Sequence, residues 1–281
     1  MNKNNRPSPL AMAAAIVALG TAQASWAAAT PLPSNVSSWE TAGSTGTSGP
    51  AGDIGDSTLF ANGSFGYVTT ADSTANGGAL TPAVQSGETN GSRLRSTAFA
   101  ANAGDTLSMA FNYITTDGSE FADYGWARII NESNSSTVAW LFTVRSGNRN
   151  TGRMIPGDIT PAFNPDATIV NFGAFDFNRT TTPISSLLGD SSGLCFADVG
   201  SCGNTGWLQS RYSFTAGGRF RVEVGVTNIQ DNLYDSALAF DFQGLTGSAV
   251  TPSVPEPSSA WLLLAGGLAG MGTLRRRQTA R

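Results

Sequence analysis

The sequence predicts an all-β protein, a β-sandwich or jelly-roll-like single domain, and three observations carry that prediction. Short segments alternate apolar and polar residues at period two. The connections between them are rich in Gly, Asn and Asp, and 33 glycines occur in 281 residues. No helical period stands out except near the two termini, where a signal helix and a transmembrane helix are expected.

Residues 1–29 are expected to be a secretory signal peptide. Lys3 and Arg6 form a basic start, and Leu10 to Gly20 is an apolar run of h-region length. Small residues follow at Ala22-Gln23-Ala24 and Ser25-Trp26-Ala27, either of which suits a signal peptidase. Residues 30–62 are expected to be a flexible lead-in, because the stretch TAGSTGTSGPAGDIGDS is low in bulk.

Residues 63–250 are expected to form the sandwich. Leu107, Met109, Phe111 and Tyr113 share one strand face, with Thr106, Ser108, Ala110 and Asn112 opposite. Phe220, Val222, Val224 and Val226 repeat the pattern, and so do Leu238, Phe240 and Phe242. Further strands are expected at 64–69, 93–100, 125–130, 137–144, 167–172 and 207–214. In 137–144 both faces are apolar, which predicts a central strand. The Gly-, Asn- and Pro-rich interval 145–167 is expected to be a surface excursion, and no internal repeat is visible.

Residues 251–257 form a stiff spacer containing Pro255, Glu256 and Pro257. From Ser258 to Leu274 there is no charge, and 17 residues of helix span about 25 Å, the short limit for a membrane crossing. Trp261 stands at the interfacial position. Arg275, Arg276 and Arg277, in the basic tail 275–281, are expected to stay on the cytoplasmic side.

A Pro-Glu-Pro motif, an apolar span and a terminal arginine cluster, in that order, resemble the PEP-CTERM sorting signal. The resemblance implies export, tethering by the tail and processing by an exosortase-type protease. It makes Pro255, Glu256 and Pro257 the sorting motif and Arg275, Arg276 and Arg277 a stop-transfer element. It also implies a setting of cell envelope, exopolysaccharide and biofilm matrix. The stretches TTDGSEFADYGWARI, GWLQSRYSF and VGVTNIQDNLYDSALAFDF resemble modules that recur in exported PEP-CTERM proteins with interchangeable anchors.

Composition narrows the chemistry. There is no histidine, so the commonest general base and metal ligand are absent. Setting aside Lys3, Arg6 and the four arginines of the tail leaves 10 of 16 basic residues; setting aside Glu256 leaves 19 of 20 acids. A body near −9 is a poor nucleic-acid binder, and membrane contact is expected only through the tail. Ser-His-Asp and Cys-His catalysis is excluded, and Lys3, the only lysine, leaves with the signal. Cys195 and Cys202 are expected to form a disulfide, as suits an exported chain.

Carboxylates gather in two places, at Asp117, Glu120 and Asp123 and at Asp231, Asp235 and Asp241. Three readings stay open: turn carboxylates bonded to nearby backbone, calcium ligands (Asp117, Glu120, Asp123, Asp231, Asp235), or a catalytic pair as in a polysaccharide hydrolase. Trp126 and Trp207 are candidates for stacking on sugar rings, against the alternative of core packing. The expected function is that of a non-enzymatic surface or matrix protein that binds or supports exopolysaccharide, or a calcium-stabilised adhesion module.

Overall fold

The computed structural model describes residues 36–55, 63–77, 86–118, 120–147, 166–170, 182–196 and 202–247. The expected signal peptide, Pro-Glu-Pro motif, transmembrane helix and arginine tail lie outside the described residues. Among the described residues, no helix is long and apolar enough to cross a membrane.

Two antiparallel sheets face each other across a common core. Sheet I runs in the order β1 (Glu40–Ala42), β4 (Glu88–Arg95), β12 (Gly218–Ile229), β7 (Tyr124–Asn131), β8 (Thr137–Arg145), and β5 (Phe99–Ala101) also pairs with β12. Sheet II runs β2 (Ser44–Ser48), β3 (Phe65–Thr69), β13 (Ser236–Thr246), β6 (Thr106–Thr115), β11 (Leu208–Ser213), β9 (Thr168–Val170), and β10 (Gly203–Asn204) also pairs with β6. The nine stretches that alternate in the sequence all contain strands, and 93–100 divides into parts of β4 and β5.

Period two does what it predicts. Leu107, Met109, Phe111 and Tyr113 of β6 meet Val222, Val224 and Val226 of β12 in the principal core, with Leu238 and Phe240 of β13. On the outer face of sheet II, Ala237, Ala239 and Ile114 lie under Leu187 and Leu188 from the 3-10 turn Ser186–Ser191. Strand β8 lies at the end of its sheet and not at the centre. It is apolar on both faces because Ala139, Leu141 and Val144 join the core while Trp140 packs with Trp126 outside it.

The expected flexible lead-in is corrected over its described part. Its residues 40–48 form β1, paired with β4, and β2, paired with β3, so the chain edges both sheets in succession. Gly43 makes the step between them at φ 76°, where a Cβ would lie 2.4 Å from Ser92 Oγ and 2.5 Å from the Gly91 carbonyl. Val36 and Trp39 are buried, and Trp39 stacks on Phe240 at 5.5 Å. Ser, Thr and Gly dominate the strands because edge positions demand little bulk, and that composition hides them from a periodicity search.

The outer face of sheet I carries one straight cross-strand row, Glu40–Arg95–Glu223–Arg128–Trp140, with one residue from each of five strands. Glu223 is fully buried between its neighbours. Arg95 Nη2 approaches it at 2.6 Å and Arg128 Nη2 at 2.5 Å. The row ends where the Arg128 guanidinium lies 5.8 Å from the Trp140 ring centroid and 5.3 Å from that of Trp126. Alternating charge directly opposite across strands favours this register over a slip, which would part Glu223 from the facing Arg95 and Arg128.

Trp39→Ala is expected to cost about 3–5 kcal/mol, the range for deleting a buried aromatic ring. Urea unfolding checks it, and an unchanged midpoint would mean that the lead-in is dispensable.

Candidate functional site

Several connections meet at one end of the sandwich, as far as the described residues go. The described parts of the connections β6–β7, β12–β13 and β3–β4, the 3-10 turn and the two cysteines lie there. Antiparallel pairing causes this, because β6 ends at Thr115 where β13 begins at Ser236, and β12 runs past Tyr124 where β7 begins. Asp231 and Asp235, more than a hundred residues away in the chain, are thereby brought to the same end as Asp117 and Asp123, while Asp241 lies further along β13 opposite Ala110.

Asp123 is the centre of this end. Its Oδ1 accepts from the Ile229 backbone N–H at 2.9 Å, and its Oδ2 accepts from Ser236 Oγ at 2.9 Å. Its carbonyl accepts from Tyr113 OH at 3.0 Å and from the Ser146 N–H at 2.7 Å. Asp117 lies against Asp123, with its N–H donating to Thr115 Oγ1 at 3.0 Å and its carboxylate accepting from the Gly118 N–H at 2.6 Å. Both aspartates are fully buried.

Burial pushes the Asp117 carboxyl up to about 7, opposed by the Gly118 N–H and reinforced by the charge of Asp231. Burial, then the charge of Asp117, holds Asp123 well above the ordinary aspartate value. Burial and the Asp123 charge likewise raise Tyr113. Two carboxyls in contact, out of water, cannot both ionise without large cost, so a proton on one of them neutralises the pair.

The other carboxylates have separate partners. Asp235 accepts from Thr70 Oγ1 at 3.0 Å and Ser191 Oγ at 3.1 Å, and burial raises it. Asp231 accepts from the Leu233 N–H at 3.0 Å, the turn geometry expected of an Asx residue. Glu120 is exposed. The calcium set Asp117, Glu120, Asp123, Asp231 and Asp235 is therefore corrected as a single centre. Among the described residues, no three carboxylates or thiolates come close enough to hold a metal.

Cys195 and Cys202 form the expected disulfide, with Cα atoms 5.8 Å apart. Beside it, the Phe196 N–H donates to the Thr116 carbonyl at 3.0 Å, which ties the cysteine loop to the end of β6.

The aromatic candidates fare differently. Trp126 is corrected, because it is fully buried with Tyr124, Trp140 and Ile229 and cannot stack on a sugar. Its ring lies on β12 at Gly225, where a Cβ would come within 2.4 Å of it. Trp207 is half-buried, edge-on to Phe65 at 5.4 Å, with Nε1 donating to the Gly55 carbonyl at 3.0 Å. Sequence reasoning missed Phe121 and Phe196. At the loop end Phe196 packs between Phe121 and Tyr234, 5.2 Å from each, and all three are part-exposed. Leu233 and Leu194 beside them are 74% and 49% exposed. Neither phenylalanine lies in a periodic stretch, and the only sequence signal was their place beside Asp123 and Cys195.

Residues 253–277 match the family described as the PEP-CTERM protein-sorting motif. This stretch thus carries a PEP-CTERM sorting motif, which implies export, exosortase processing and association with the cell envelope or surface. No curated protein matches the chain.

The carboxyl pair sets a pH dependence. A carboxyl raised in the folded state contributes stability that is complete below its unfolded value near 3.8 and is lost as pH rises through its folded value, about 7 for Asp117. In EDTA, the Tm is expected to fall between these limits. Asp117→Asn, a stand-in for the protonated acid, is expected to flatten that slope. A Tm that rose over the same window would contradict the assignment.

Proposed function

We propose that this chain is a non-enzymatic module of the cell surface or extracellular matrix that holds exopolysaccharide at the loop end of its sandwich. The observation that carries the reading is the part-exposed ridge of Phe121, Phe196 and Tyr234. Flat apolar rings, with Asp231 close in sequence to accept hydrogen bonds from hydroxyls, suit the faces and edges of sugar rings. The disulfide and the Asp123 hub hold the ridge in place, so little ordering entropy is lost on binding.

A hydrolase reading needs two carboxyls on either side of a glycosidic bond, about 5–9.5 Å apart. Asp117 and Asp123 touch each other and are buried, which favours a binding role. The tail is proposed to tether the chain to the membrane through a helix over residues 258–274 until processing releases or re-anchors it.

A glycan array probed with the protein is expected to retain matrix-type polysaccharides. Phe196→Ala and Tyr234→Ala should each weaken retention by roughly tenfold, the scale of one aromatic contact. A blank array would remove the binding role. In cells, replacing Pro255, Glu256 and Pro257 together by alanine is expected to leave a full-length form in the membrane, and normal maturation of that variant would contradict the membrane-processing step.

A further inference from the structure

The interior of the sandwich changes character towards the loop end. Along β12 the inward residues Val222, Val224 and Val226 belong to the apolar core, and the next residue on that face is Asn228. It is 1% exposed, and neither its Oδ1 nor its Nδ2 has a hydrogen-bond partner among the described residues. A buried amide with both ends unpartnered is costly and calls for a physical cause.

Register shows what Asn228 faces. Thr227 pairs with Tyr124, so the next residue, Asn228, stands opposite Asp123, and the Asp123 carboxylate takes the following N–H, that of Ile229. On the other side β4 bulges: Thr227 pairs with Gly91 and Ile229 with Glu88, so Thr89 and Asn90 together oppose Asn228. Asn90 donates through Nδ2 to the carbonyls of Thr70 and Ser73, which leaves its buried Oδ1 unpartnered. Asp117 Oδ2 is buried as well, and the neighbouring Asp123 carboxyl is its one contact of note.

The register thus sets Asp123, Asn228 and Asn90 side by side across three strands at the loop end, with Asp117 against Asp123. The donors are all oxygen, with no sulfur or imidazole. Arg145, opposite Tyr124, donates from Nε to the Ser146 carbonyl at 3.1 Å, and no arginine of the described residues is among the charges that act on Asp117 and Asp123. Hard oxygen donors of mixed carboxylate and amide type select a hard cation, and the flexible shell of Ca²⁺ tolerates such a set.

We propose that Asp117, Asp123, Asn228 and Asn90 form a buried calcium site that locks the loop end, with water completing the shell. Glu120, Asp231 and Asp235 are not ligands, and Asp231 contributes only its nearby charge. The ion takes the place of the shared proton and neutralises both carboxylates. This inference is independent of the polysaccharide reading, because it concerns the interior and not the aromatic ridge.

The test is thermal unfolding of the full chain, stripped with chelator, against increasing CaCl2 near neutral pH, with MgCl2 as the comparison. The Tm is expected to rise and saturate with an apparent Kd of about 0.1–1 mM, the range of extracellular calcium modules. Asn228→Leu removes an unpartnered amide at similar volume. It is expected to fold without calcium at least as stably as the parent and to respond to calcium at least tenfold more weakly. Asp117→Asn should weaken the response in the same way. No calcium-dependent rise in the parent would overturn the site, as would a rise undiminished in Asn228→Leu. If Asp117→Asn fails to fold, the result for Asn228→Leu decides.

Discussion

A single residue, Asp123, holds the loop end of this protein together. Through side chain and backbone it bonds to β12 at Ile229, to β13 at Ser236, to β6 at Tyr113 and to Ser146 just beyond β8. Strands of both sheets are thus tied at one buried carboxylate and its carbonyl. The arrangement places an acid out of water beside a second acid, Asp117, a combination that is stable only when the charge is neutralised. Every feature of functional interest hangs from this knot. The β6–β7 turn carries Phe121, the β12–β13 turn carries Tyr234, and the cysteine loop carrying Phe196 is tied to Thr116.

The rest of the sandwich obeys a simpler logic. In its middle the inward faces are aliphatic and aromatic, and the sheets adhere by apolar burial. Outside sheet I the row from Glu40 to Trp140 favours one register without entering that core. Breaking the row at Glu223 would leave two arginines facing each other across a buried gap, a far larger disturbance than removing any exposed pair. The polar loop end is therefore not a weak core but a different kind of closure, in which hydrogen bonds replace apolar contact.

Legibility in the sequence followed the same division. Strands β6, β12 and β13 were legible because one face is buried in apolar contact and the other is not, so their residues alternate. Strands β1 and β2 were hidden because Ser, Thr and Gly at an edge look like a linker. The placement of Trp126 could not be read, since it depends on Gly225 of a strand a hundred residues away leaving room for the ring. The two acidic clusters were visible, but the approach of Asp231 to Asp117 depends on strand order. The sorting motif was legible outright, because it is an ordered string of residues and not a product of folding.

A rigid loop end on an exported, sorted sandwich is a suitable platform for a matrix polymer only if the Asp123 knot does not open locally. Native-state hydrogen exchange tests that most directly at the Ile229 amide, whose acceptor is the Asp123 carboxylate. This amide is expected to exchange as slowly as Val224 in the core, and thus only through global unfolding. Exchange as fast as that of Leu233 in the adjoining turn would mean that the knot frays on its own, and the account of the loop end would fail.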